Sequence, residues 1–363
     1  MVFRGTDPFE IGAQFAADHS STVTDYFRLA RLGAHVFLLS VAGTQPYEAV
    51  LADMAADPRP LWVQRNLEFL GAQSTLQSSG SGSPGTQYAL ERLQIGSVQS
   101  LTKGDGVRVA MVDSGVDVTH PALSGVRLSV IDVIKNHTRP TAEAHGTAIA
   151  GIIAGRNGLD GVAPDAELVA IRAFHQSSGS GAAARSSSYY VSKGISRAID
   201  VAVRVINLSL TGPQDRLVTQ TVEQALLARI VVVAAAGNAG PKAPPAYPAA
   251  QAGVIAVTAT DGKDRLYKHA NRGSYVTLAA PGVDILVADP GGGYDYMSGT
   301  SMAAAYVSGF AALMIARDDS LAPSQLRKVM EATATDLGPP NRDPQFGAGR
   351  VDATAAFGQL AGN

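Results

Sequence analysis

Cysteine is absent from all 363 residues. Disulfides, thiolate metal ligands and cysteine nucleophiles are excluded together. A nucleophile, if the chain carries one, is a serine, threonine, lysine or carboxylate. Charge bias is missing as well. Lys+Arg total 29 against 31 Asp+Glu, a net charge of −2, which offers little to nucleic acid or an anionic membrane. No apolar run reaches the ~18–20 residues of a membrane span. The first twenty residues, MVFRGTDPFEIGAQFAADHS, have no basic start ahead of an apolar core, so no signal peptide is visible. There is no internal repeat. The first strong strand is followed by VDSGVDVTHP, which is not a phosphate-cradling loop, and a nucleotide-binding reading needs one there.

What is present reads as globular: 46% of residues are hydrophobic and 17% charged. The length suffices for one large core plus a smaller unit. Residues 1–25 are weakly patterned. AHVFLLSVAG (34–43) reads as a buried strand, QPYEAVLADMAADP (45–58) sets Tyr47, Val50, Leu51 and Met54 at helical spacing, and LWVQRNLEFL (61–70) reads as a strand. AQSTLQSSGSGSPGTQ (72–87) is a Ser/Gly-rich linker open to proteolysis. The predicted organisation is an extension at 1–26, a small α+β domain at 27–72, a linker at 73–87 and a main domain at 88–363. In the main domain VRVAMVD, AELVAIRAF, VRVINLSL, IVVVAAAG and GVIAVTAT are nearly continuous apolar strands with helix-like stretches between several of them. That texture predicts an α/β fold, a mostly parallel sheet covered by helices on both faces, with its chemistry at the C-terminal strand ends.

Three polar residues stand where such elements meet loops. Asp113 ends VRVAMVD, His145 opens HGTAIAGIIAG and Ser301 opens SMAAAYVSG. Each has an ordinary reading too: a turn former or cap for the aspartate, one of seven histidines, and an N-cap for the serine. Order and flanks change the weighing. VAMVDSGVDVTHP, HGTAIAGIIAG and GTSMAAAYVSG resemble the three active-site blocks of the subtilisin-like serine proteases, in that family's Asp, His, Ser order. AAAGNAG (234–240) resembles its oxyanion-hole stretch and INLSLTGP (206–213) its cleft-lining strand. The resemblance covers roughly 88–357.

It implies a serine endopeptidase in which Ser301 attacks, His145 is the general base and acid, and Asp113 orients the imidazole. Asn238 would donate to the oxyanion beside the Ser301 backbone N–H. Ser209, Leu210 and Thr211 would pair with an extended protein or peptide substrate, Gly179, Ser180 and Gly181 would form the opposite wall, and Gly299, Thr300 and Ala246 would complete the substrate site. More faintly, 27–72 resembles the family's propeptide. This implies a zymogen whose N-terminal domain is an intramolecular inhibitor, with self-cleavage within 71–90. A peptide ligase or cyclase on the same scaffold and a catalytically silent binding protein are the alternatives. Family resemblance favours export.

Two departures affect specificity. Thr211 stands at the first of what is often Gly-Gly, and Ala246 stands where many members have glycine at the base of the main pocket. Both add a side chain, so a shallow pocket for Ala-, Leu- or Met-sized groups is expected. The loop AGRNGLDGVAPDAEL (154–168) is shorter than the calcium-binding loop of the secreted bacterial enzymes. No metal or cofactor is assigned from this loop, and calcium sites elsewhere are left open.

Overall fold

The computed structural model describes residues 1–4, 8–41, 43, 46–71, 75–77, 87–134, 144–176 and 184–361. At its centre is a seven-stranded sheet. The order is Leu278–Pro281, Ile255–Thr260, Val231–Ala235, Val205–Leu208, Arg108–Asp113, Glu167–Arg172, Arg127–Asp132, and every neighbouring pair is parallel. The strands are apolar throughout because both faces are covered. In Arg108–Asp113, Val109 and Met111 enter the core that contains the helices Ala144–Ala154 and Thr300–Arg317. Ala110 and Val112, pointing the other way, enter the core formed with Ser188–Asp200 and Arg216–Leu227. This is the doubly covered α/β architecture that the apolar strand runs predicted.

The chain leaves Arg108–Asp113 for one side of the sheet and returns to Val205–Leu208 on the other. A crevice at the C-terminal strand ends belongs at such a reversal. Thr300–Arg317 runs through the core, buried from Thr300 to Ile315. Small residues let it approach its neighbours: a Cβ on Gly309 would lie 2.6 Å from Val162 Cβ.

The N-terminal unit corrects the expected boundary at 26–27. Val2–Arg4 and Ser21–Leu29 both pair antiparallel with Ala34–Val41, accompanied by the helices Pro8–Asp18 and Tyr47–Ala56. Residues 1–26 are thus part of this unit rather than an extension. Their pattern is weak for a physical reason. Ser21–Leu29 turns Asp25 inward, 4% exposed, and its register shifts between Val23 and Asp25, which breaks the apolar alternation. The strand expected over 61–70 is confined to Glu68–Gly71. Upstream, Trp62 makes only an isolated bridge to Val2.

The two units are docked. Val2, Phe27, Leu29, Ala34 and Val36 form one apolar cluster with Tyr189 and Leu217 of the larger unit. Inside this contact the Lys193 ammonium meets the Asp25 carboxylate, with both side chains largely buried. Most of the expected linker, 72–74 and 78–86, lies outside the described residues.

Candidate active site

Asp113 is the last residue of its strand and is 4% exposed. Its Oδ1 accepts from the Ser114 N–H at 2.7 Å and contacts His145 Nδ1 at 2.7 Å. An ionised carboxylate only accepts, so Nδ1 carries the proton. Nε2 is then left as the basic nitrogen. His145 is the second residue of Ala144–Ala154, and two packed contacts fix where that helix starts. The Gly146 N–H donates to Ser114 Oγ at 3.0 Å. A Cβ on Gly146 would also come within 2.5 Å of the Gly115 carbonyl oxygen, so only glycine allows this approach.

Ser301 is the second residue of Thr300–Arg317 and is fully buried. The first turn of that helix carries its positive dipole end. Ser301 Oγ has no hydrogen-bond partner among the described residues, so a bond to His145 is not made in this state. The carbonyl of Ser301 is held instead: it accepts from Ser209 Oγ at 3.2 Å. Ser209 Oγ accepts from Asn207 Nδ2 at 2.9 Å, and Asn207 Oδ1 accepts from Ser308 Oγ at 2.9 Å. This buried chain fastens the strand end to the helix.

Asn238 follows Val231–Ala235, and Thr300 sets its amide. Thr300 N–H and Oγ1–H both donate to Asn238 Oδ1 at 3.0 Å. With the oxygen so engaged, the amide nitrogen is the group left to donate elsewhere. Gly237 N–H donates to Thr300 Oγ1 at 3.1 Å, which ties the loop to the helix a second time.

A strand of the N-terminal unit lies against these strand ends. Glu68–Gly71 lies antiparallel to Leu210–Thr211 on one side and Ala184–Ser187 on the other, with Leu210 opposite Gly71 and Thr211 opposite Leu70. Phe69 is fully buried, and a Cβ on Gly212 would lie 2.3 Å from its ring. Leu210 and Thr211 therefore pair with an extended strand, while Ser209 contributes its hydroxyl to the Ser301 carbonyl. Gly179, Ser180 and Gly181 lie outside the described residues; the described opposite wall is Ala184–Ser187. Ala246, 8% exposed, backs onto Gly237, where an added Cβ would stand 3.3 Å from its own.

The subtilase family profile matches residues 104–349, more than half of the chain. The chain belongs to the subtilase family. Subtilisin E of Bacillus subtilis (strain 168) is 37% identical over 262 residues, 70% of this chain and 66% of that protein. Thermitase of Thermoactinomyces vulgaris is 37% identical over 276 residues, 74% of this chain and 95% of that protein. Among solved structures, fervidolysin from Fervidobacterium pennivorans, a keratinolytic enzyme related to subtilisin, superposes with a TM-score of 0.82 at 26% identity. That match covers 98% of this chain and 60% of fervidolysin. The chain thus spans just under two thirds of several relatives' lengths.

In this subtilase the structure brings Asp113, His145, Ser301, Asn238 and Thr300 to one end of the sheet. It also adds residues that the sequence reading missed. Ser114 anchors the His145 helix. Asn271, 2% exposed, braces the Asn238 loop: its N–H donates to Gly237 O at 2.9 Å and its Oδ1 accepts from Ala239 N–H at 2.8 Å. Asn271 sits in KHANRGS, where no motif marks it. Among the described residues no group of three or more His, Asp or Glu is placed to hold a metal, and no helix is long and apolar enough to cross a membrane.

Proposed function

We propose that this subtilase is a serine endopeptidase that hydrolyses peptide bonds of extended protein substrates, made as a zymogen that processes itself. The observation that carries the reading is the contact of Asp113 Oδ1 with His145 Nδ1 at 2.7 Å, together with a buried serine on the first turn of the central helix. Ser301 is a weak nucleophile unless a base takes its proton. His145 Nε2 accepts that proton as Oγ attacks the carbonyl carbon, then returns it to the leaving amine. Asp113 keeps the ring in the required tautomer and stabilises the imidazolium. Negative charge gathers on the carbonyl oxygen, to which the Asn238 amide and the Ser301 N–H would donate. Water then hydrolyses the acyl-enzyme. Thr211 and Ala246 narrow the pocket for the residue before the cut, favouring Ala-, Leu- or Met-sized groups.

Residues 1–71 serve as the inhibitor. Glu68–Gly71 takes the place of a substrate strand, which supports this role. The test compares the intact mass of the protein with that of Ser301→Ala. The unaltered protein is expected to lose its N-terminal unit within the linker, leaving about 270–290 residues, while the variant stays whole. A Ser301→Ala variant that is cut at the same place and rate would overturn self-processing. Failure of a fluorophosphonate probe to label the unaltered protein would overturn the active enzyme.

A further inference from the structure

Asn238 stands in a loop, residues 236–240, that leans on one stretch of chain. Gly240 N–H donates to His269 O at 2.8 Å. Asn271 takes the middle of the loop, its N–H donating to Gly237 O and its Oδ1 accepting from Ala239 N–H. The start of the loop is held by a side chain further on: the Tyr275 hydroxyl donates to Ala236 O at 2.8 Å. No motif of the sequence points to Tyr275, and no step of the proposed reaction uses it.

The Tyr275 hydroxyl has two further partners, the Asn271 side chain and the Ala246 backbone. Burial pushes the phenol up, so it keeps its proton and remains a donor at neutral pH. The ring has little room to turn away. A Cβ on Gly273 would lie 2.6 Å from Tyr275 Cε1, so the ring packs directly on the Gly273 backbone. Gly273 is pinned in turn, its N–H donating to Pro344 O at 2.9 Å. Ala246 is the residue that the proposed reading sets in the pocket for the side chain before the cut. Its neighbour Tyr247 exchanges backbone bonds with Gly212 at 2.9 and 3.1 Å, next to Thr211. One hydroxyl thus joins the Asn238 loop to the Ala246 segment. Such a joint matters for chemistry. A donor to an oxyanion is effective when it is aimed before the charge forms, and a misplacement of about 1 Å is costly.

We propose that Tyr275 is a positioning residue for peptide hydrolysis: its hydroxyl fastens the Asn238 loop to Ala246, so that filling of the pocket and stabilisation of the oxyanion are coupled. Tyr275 acts through Asn238 and Ala246, not on the substrate. A side chain that fills the pocket presses on Ala246 and, through the hydroxyl, steadies the Asn238 loop. Discrimination between side chains before the cut then shows in kcat and not only in KM. This rests on the peptidase reading above.

The test measures kcat and KM for two peptide anilides, with Leu or Gly before the cut. The proteins are the unaltered enzyme, Tyr275→Phe, Asn238→Ala and the double variant. Active sites are counted by fluorophosphonate titration, so that misfolded molecules do not lower kcat. Variants that process slowly are completed with a trace of the unaltered enzyme, whose own activity is subtracted. Tyr275→Phe should lower kcat for the Leu peptide about fivefold, the worth of one hydrogen bond, with KM about unchanged. The ratio of kcat for Leu to kcat for Gly should fall as well. In the Asn238→Ala background the same change should cost about twofold or less, because the group it positions is gone. A kcat equal to that of the unaltered enzyme overturns the proposal, and so does the full loss repeated without Asn238. An unchanged Leu-to-Gly ratio overturns the coupling to the pocket. If Tyr275→Phe yields no titratable sites, Asn271→Ser, which removes the amide arm of the network, carries the same comparison. Failure of both variants to give active sites shows a need for the fold alone and overturns the proposal while the peptidase reading stands. If the unaltered protein is neither labelled nor hydrolyses either peptide, the peptidase reading has failed and the proposal falls with it.

Discussion

At the scale of single residues, the site depends on groups whose partners are far away in sequence. Asp113, His145 and Ser301 are legible because each sits in a local motif. Ser114 and Asn271 are not, because their roles are hydrogen bonds to elements 32 residues away in both cases. Ala246 is a residue whose effect can be measured directly. Its methyl group stands against Gly237, in place of a hydrogen, and in the proposed reading it narrows the pocket. One methyl or methylene in an apolar pocket is worth about 10- to 200-fold in discrimination. Peptide-library profiling should give the unaltered enzyme a preference for Ala, Leu and Met before the cut. Ala246→Gly should raise kcat/KM for Phe and Tyr, relative to Leu, by about tenfold. An unaltered enzyme that prefers large aromatics would refute the shallow pocket.

At the scale of elements, the parallel strands were legible because burial on both faces leaves no polar position to blur the pattern. The helix Thr300–Arg317 was legible for the same reason. Its close packing implies a measurable penalty. Gly309→Ala gains about 1 kcal/mol of intrinsic helix propensity. The new Cβ would meet Val162 Cβ at 2.6 Å, and overpacking a dense core costs about 1–3 kcal/mol. The clash dominates, because Val162 is fully buried and β-branched, with few rotamers to retreat into. The expected outcome is a net loss of up to about 2 kcal/mol, read as a lower denaturation midpoint in a Ser301→Ala background that prevents self-digestion. An unchanged midpoint would mean that the helix can shift.

At the scale of the whole molecule, the docking of the two units turns on a charge pair that neither sequence region announces. Lys193 and Asp25 are 168 residues apart, with side-chain exposures of 10% and 2%. Removing one partner of such a pair strands the other charge, at about 3–5 kcal/mol, whereas replacing both by apolar groups is often neutral. Lys193→Met should therefore weaken retention of the cleaved N-terminal fragment by about a hundredfold or more, and the lag before full activity should shorten. The double variant Lys193→Met with Asp25→Leu should recover much of that retention. If the single variant releases its fragment at the unaltered rate, the pair does not set the docking strength.

The sequence by itself determined the α/β class, the parallel strands and the motifs that carry Asp113, His145 and Ser301. Each of these is written in short, contiguous patterns of hydrophobicity or motif. Tertiary structure alone decided that residues 1–26 join the N-terminal sheet, that Thr300 orients the Asn238 amide and Asn271 braces its loop, and that Glu68–Gly71 pairs between Leu210–Thr211 and Ala184–Ser187. Those outcomes depend on pairings across tens to hundreds of residues, where an inward aspartate finds its lysine or a free backbone edge finds a strand, and no local pattern encodes them.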